Sequence, residues 1–232
     1  MFLFSLLKSG ANVGEIIICV LAMLIAAAIS IVMHEVSHGF VALKCGDPTA
    51  KFAGRLTLNP VAHFDLIGIL MLFIVGFGWA KPVPIDSRNF KNYKLGVFLV
   101  SIAGITTNLI LCGLGLLLVF LLKPLLIINI SGTMTGYVLR LFLYYFLLFF
   151  VKINFLLAFF NMLPLYPLDG FKALDLFLKP GNPYSRFMYR YGNFVIVGLV
   201  LISRTFSYAN LDYLNIFYWG NYLINLLIQL VI

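Results

Sequence analysis

The sequence predicts an all-α polytopic membrane protein with about five transmembrane helices and a re-entrant segment near residues 54–80 that could carry a strand edge. Three observations carry this. Of the 232 residues, 62% are hydrophobic and 10% charged, with a mean hydropathy of +1.05, whereas a soluble domain has about 25% charged residues. Apolar runs of spanning length recur along the chain. The basic residues gather in the short connections between those runs.

The first predicted span runs from about Ile16 to Leu43, and others from Gly96 to Leu122, Tyr137 to Asn161, Gly192 to Ile202 and Leu214 to Ile232. The fourth is short unless it extends back through Tyr189 or on through Phe206. Leu66–Ala80 is 15 residues long and is broken by Gly68, Gly76 and Gly78, short of the roughly 20 residues that a crossing helix needs. Basic residues cluster between Lys44 and Lys94 and again as Lys172, Lys179, Arg186 and Arg190, while Lys123 and Arg204 stand alone in the intervening loops. A crossing at Leu66–Ala80 would split the first cluster between two sides. A segment that enters and returns keeps all basic loops on one side, which the positive-inside rule makes cytoplasmic. Non-helical backbone at that depth needs a protein-lined cavity.

A net charge of +8 raises nucleic acid as a partner, but its placement in membrane loops excludes that class. Cys19, Cys45 and Cys112 form no CxxC pair, so neither a disulfide framework nor a thiolate metal site is expected. Lys8 follows the first apolar stretch rather than preceding it, so no cleavable leader is expected. The expected organisation is a single membrane domain over residues 1–232 with a catalytic core at about 14–175.

The chemistry lies in His34-Glu35-Val36-Ser37-His38. On a helix, residues i and i+4 project from one face, so both imidazoles can reach one metal ion. Glu35 stands beside them as a candidate base, and zinc lowers the pKa of a bound water to about 7. Ionisable residues inside spans are costly and rare, yet two of the 3 His share five residues of an apolar helix with a Glu. Interhelical glue or an ion pathway would explain such burial but not the spacing. A catalytic zinc usually takes three protein ligands. Asp169 is the leading candidate for the third, because Pro164 and Pro167 unwind the backbone before it and Gly170 permits a turn after it. His63 is the second candidate, or a group supporting the ligands, and an interfacial loop histidine is its plain alternative.

These residues resemble the site-2 proteases, intramembrane zinc metalloproteases. The resemblance rests on His34–His38, on Asn161-Met-Leu-Pro-Leu-Tyr-Pro-Leu-Asp169-Gly170, and on Gly104-Ile105-Thr106-Thr107-Asn108 in the place of a Gly-Pro-x-x-Asn motif. Gly46–Ala50, Gly54–Pro60, His63–Asp65 and Lys81–Pro84 look like the small prokaryotic subgroup without PDZ or CBS domains. The resemblance covers roughly residues 30–172. It implies one zinc held by His34, His38 and Asp169, Glu35 as base, and Asn161 and Asn108 near substrate or the developing oxyanion. It also implies hydrolysis of peptide bonds in membrane-protein substrates, in a prokaryotic inner membrane. Ile105 replaces the family's proline, and Phe171 stands where many relatives have a second glycine. A metal transporter would need more polar faces along one route than this chain offers. A silent relative would not need Glu35.

Overall fold

A computed structural model describes residues 10, 12–68, 80–127, 133–208, 211 and 215–231. Among them are seven α-helices: α1 Val13–Cys45, α2 Thr49–Phe52, α3 Tyr93–Ile127, α4 Met134–Asn161, α5 Asp169–Asp175, α6 Pro183–Tyr208 and α7 Ile216–Val231. Single 3-10 turns lie at Pro60–Ala62 and Ser87–Asn89. No strand occurs among the described residues; an isolated antiparallel bridge joins Phe64 to Ala80.

Three helices, α1, α3 and α4, are long and apolar enough to cross a membrane, and the chain is an integral membrane protein. The first three expected spans therefore stand with slightly wider bounds. The expected fourth lies in α6, which carries Arg186 and Arg190, and the expected fifth is the 16-residue α7. Much of the expected re-entrant stretch, residues 69–79, lies outside the described residues. The described residues on either side of it pair, because the Lys81 N–H donates to His63 O at 2.9 Å beside the Phe64–Ala80 bridge.

α1 starts where Asn12 and Glu15 form a reciprocal capping box and stops at Gly46, whose φ of 114° suits a residue without a Cβ. At 33 residues it is about 50 Å long, more than the roughly 30 Å hydrocarbon layer. Ile17, Leu21, Leu24, Ile25 and Ile29 on α1, and Leu114, Leu117, Leu118 and Leu121 on α3, are exposed, which suits lipid and not water.

Small and polar groups face inward instead. Ala22, Ala26, Ser30, His34, His38 and Ala42 form one buried row on α1, each four residues from the next. Rows of small residues let membrane helices approach closely, and α1, α3 and α4 pack mutually here. Cys112 and Val119 of α3, Leu147 and Val151 of α4, and Ile224 and Ile228 of α7 make a separate apolar core. Gly220 of α7 fits against Leu156 and Phe159, where a Cβ would stand 3.1 Å from each.

Asp47 organises the loop that follows α1. Its buried carboxylate accepts from Thr49, from Asn89 Nδ2 at 2.8 Å and from the Asp86 N–H at 2.8 Å. Burial pushes its carboxyl up, but these bonds outweigh burial and hold it below the ordinary carboxylate range.

Candidate metal centre

His34 and His38 stand on the inward row of α1, 11 and 7 residues before its last residue, Cys45. Asp169 reaches them from a different direction. α4 ends at Asn161, the chain turns through Pro164 and Pro167, and α5 begins at Asp169. The unwound segment that the sequence predicts before Asp169 is thus present. Gly170 serves it differently from expectation. It is helical, and a Cβ there would meet Met162 O at 2.4 Å and Leu163 O at 2.7 Å. The glycine allows close approach of two backbones rather than a turn. Phe171 is fully buried among Tyr166, Tyr184 and Tyr189, with ring centroids 5.7, 6.1 and 5.2 Å away. That aromatic cluster ties α5 to α6 where a second glycine would leave it free.

His34 Nε2 lies 3.3 Å and His38 Nε2 3.0 Å from Asp169 Oδ2, and the two Nε2 atoms are 3.1 Å apart. Among the described residues, these three form the one group whose ligand atoms converge as a metal requires. A tetrahedral site with bonds of about 2.0–2.1 Å has ligand–ligand edges of about 3.3–3.4 Å, close to the distances seen.

The hydrogen bonding supports the same fit. His34 Nδ1 donates to Asn108 Oδ1 at 2.5 Å and His38 Nδ1 to the Val100 carbonyl at 2.8 Å. With each Nδ1 proton committed, both Nε2 atoms carry lone pairs. Asp169 Oδ2 is buried without a hydrogen-bond donor, while Oδ1 pairs with Lys172 Nζ at 3.1 Å. Three acceptors facing one another need a proton or a metal ion between them, and a metal ion satisfies all three at once.

Glu35 is half-buried, and its Oε2 accepts from the Val83 N–H at 3.0 Å. Pro82 and Pro84 have no N–H, so Val83 supplies the one backbone donor of that tripeptide. Arg55 Nη2 holds the same strip by donating to Lys81 O at 2.7 Å.

Asn108 is fully buried beside the histidines, with its amide nitrogen 2.7 Å from Asn154 Oδ1. Asn161 is half-buried at the end of α4, and its amide donates to Leu157 O at 3.0 Å. His63 is buried outside the three-residue cluster and bonds Thr57 O through Nε2 at 2.9 Å.

Gly104, which opens the Gly104–Asn108 motif, and Ser30 and Asn154, which lie in no motif, also stand beside the site. A Cβ on Gly104 would lie 2.3 Å from His34 Cε1 and 2.5 Å from His38 Nε2, so α3 can approach the imidazoles there only as glycine. Ser30 and Asn154 are fully buried and polar within apolar helices. A search for polar residues inside spans would have found both.

The sequence model of Peptidase family M50 matches residues 22–203. The chain belongs to that family. It is a peptidase with the motifs of the site-2 proteases, and α3 runs unbroken through Ile105, where the family has proline. "Putative zinc metalloprotease YwhC" of Bacillus subtilis is 36% identical over 193 residues, 83% of this chain and 85% of that protein. "Putative zinc metalloprotease Rip2" of Mycobacterium tuberculosis is 32% identical over 157 residues, 66% of this chain and 55% of that protein. The Mycolicibacterium smegmatis protein of the same name is 26% identical over 197 residues, 82% and 69% of the two chains. No solved structure matches the chain.

Proposed function

We propose that this M50 peptidase is an intramembrane zinc metalloprotease, which hydrolyses peptide bonds within or near transmembrane segments of membrane proteins. The observation that carries the reading is the convergence of His34 Nε2, His38 Nε2 and Asp169 Oδ2 within 3.0–3.3 Å of one another, on and beside a membrane-spanning helix. These residues hold one zinc per chain. When bound, zinc polarises the scissile carbonyl and acidifies the attacking water.

Glu35 is the general base. It takes a proton from the attacking water and returns it to the leaving amine, with the Val83 N–H holding the carboxylate in place. Asn108 orients His34 rather than touching substrate, because its oxygen and nitrogen are both engaged with protein. Asn161 sits where the unwound strip begins and contacts substrate there. His63 braces the loop that leads into the re-entrant stretch and does not ligate the metal.

A peptide bond in a helix is shielded by its own hydrogen bonds, so the substrate must be extended before cleavage. Phe64 and Ala80, which pair within the re-entrant stretch expected near 54–80, present backbone to an extended substrate. α6 and α7 complete about five spans in one membrane domain over residues 1–232. The basic loops face the cytoplasm of a prokaryotic cell, whose inner membrane holds the chain.

The deciding experiment measures bound metal by elemental analysis in purified wild type and Asp169→Ala. About one zinc per chain in wild type, falling sharply in the variant, is expected. Zinc retained equally in Asp169→Ala would remove Asp169 from the ligand set. No zinc in reconstituted wild type would overturn the protease reading.

A further inference from the structure

A chain of buried hydrogen bonds runs from His34 away from the metal centre and ends on two backbone carbonyls. We infer that Asn154, which the motifs do not single out, is a positioning residue that fixes the amide orientation of Asn108 and, through it, the tautomer of His34.

The direction of every link follows from the far end. Asn154 Nδ2 lies 2.8 Å from Phe150 O, which can only accept, so the nitrogen of that amide must face it. The same nitrogen donates its second hydrogen to Ser30 Oγ at 2.8 Å, and Ser30 spends its own proton on Ala26 O at 2.7 Å. Asn154 Oδ1 is therefore left to face Asn108, and at 2.7 Å it must accept from Asn108 Nδ2. That fixes Asn108 with Oδ1 toward His34, 2.5 Å from Nδ1. An oxygen there demands an N–H on Nδ1, which leaves Nε2 unprotonated and facing His38 and Asp169.

Ser30, Asn108 and Asn154 are all fully buried, so no bulk water competes for these links. Asn108 Nδ2 also reaches the Ser30 carbonyl, but at 3.4 Å; without the 2.7 Å bond to Asn154 only that long contact resists a half-turn of the amide that presents Nδ2 to His34. Nδ1 would then accept, the proton would move to Nε2, and His34 would be lost as a ligand until the amide turned back. A ligand that spends part of its time in the wrong tautomer binds metal more weakly by that fraction.

This rests on the reading of His34 as a metal ligand. The test compares zinc affinity, by competition with a chelator, for Asn154→Leu in two backgrounds, wild type and Asn108→Leu. A leucine at 108 has no amide to turn, so Asn154 has nothing to act through in that background. The expected result is zinc affinity lower by about tenfold for Asn154→Leu in the wild-type background, with less than a twofold change between Asn108→Leu and the double variant. Equal losses in both backgrounds would make Asn154 a packing residue and overturn the inference, as would unchanged affinity in the first. Cobalt loading gives a second readout, because a tautomer effect lowers cobalt affinity in the same ratio while leaving the bound-state visible spectrum unchanged; an altered spectrum would overturn it. If Asn154→Leu does not fold, Asn154→Ala carries the same two-background comparison. Zinc absent from wild type itself would instead defeat the metal-site reading.

Discussion

Replacing Gly104 by alanine tests how tightly α3 is fitted to the metal centre. The added Cβ would lie 2.3 Å from His34 Cε1, 2.5 Å from His38 Nε2 and 2.6 Å from His34 Nδ1, where ordinary contact starts at 3.4 Å. The shortfall of about 1.1 Å at the first contact exceeds what a well-packed site absorbs without moving side chains or backbone. Two routes relieve it. The imidazoles can turn away, which breaks Nδ1 bonds of 2.5 Å to Asn108 and 2.8 Å to Val100 O. Alternatively α3 can retreat, which stretches the same two bonds because both acceptors sit on that helix. Overpacking costs about 1–3 kcal/mol, and a strained or lost buried hydrogen bond costs about 1–3 kcal/mol more. A combined loss near 3 kcal/mol in the zinc-binding state weakens affinity about 100-fold. The assay is chelator competition for zinc together with cleavage of a membrane-spanning reporter. Gly113→Ala is the control on the same helix, since a Cβ there meets nothing within 4 Å. Zinc affinity within threefold of wild type for Gly104→Ala, with cleavage intact, would refute the reasoning.

Three further outcomes follow from named contacts. Glu35→Gln keeps about one zinc per chain and loses at least 100-fold in cleavage rate, the low end for removing a general base; full cleavage by a zinc-loaded variant would remove Glu35 from that role. Asp47 is held below the ordinary carboxylate range in the folded protein, so its stabilisation is complete above about pH 4 and is lost as pH falls toward the folded value. Thermal unfolding in detergent declines below about pH 4 in wild type, and Asp47→Asn flattens that decline; parallel curves would count against it. Phe171→Ala empties the space among Tyr166, Tyr184 and Tyr189 and destabilises the protein by about 3–5 kcal/mol, read as a lowered unfolding temperature, with loss under 1 kcal/mol contradicting the packing seen.

Sequence patterns alone determined a good deal. The three longest apolar runs became α1, α3 and α4 because their length and hydropathy have one satisfactory solvent, and in lipid a helix satisfies its own backbone. The spacing of His34 and His38 put both on one helix face, a local property that needs no tertiary information. Prolines 164 and 167 located the break from which Asp169 reaches the site, since proline cannot continue the α4 ladder. The buried row on α1, with Ser30 four residues before His34 and Ala26 four before that, was also written in the sequence as a repeat of small and polar residues.

The tertiary structure decided what that row meets. Asp169 is 131 residues beyond His38, and no local rule says that it, rather than His63, lies within 3.3 Å of both histidines. Gly170 looked like a turn residue and proved to be a place of close backbone contact, because conformational freedom and lack of a side chain look alike in a sequence. The same ambiguity concealed what Gly104 does within its motif. Asn154 reads as one polar residue in an apolar helix; its link through Asn108 to His34 exists only because α1, α3 and α4 pack together. Composition and local pattern set which residues could bind metal, because those depend on the chain's own geometry. Which of them do converge, and in which tautomer, depends on groups brought together from distant parts of the chain.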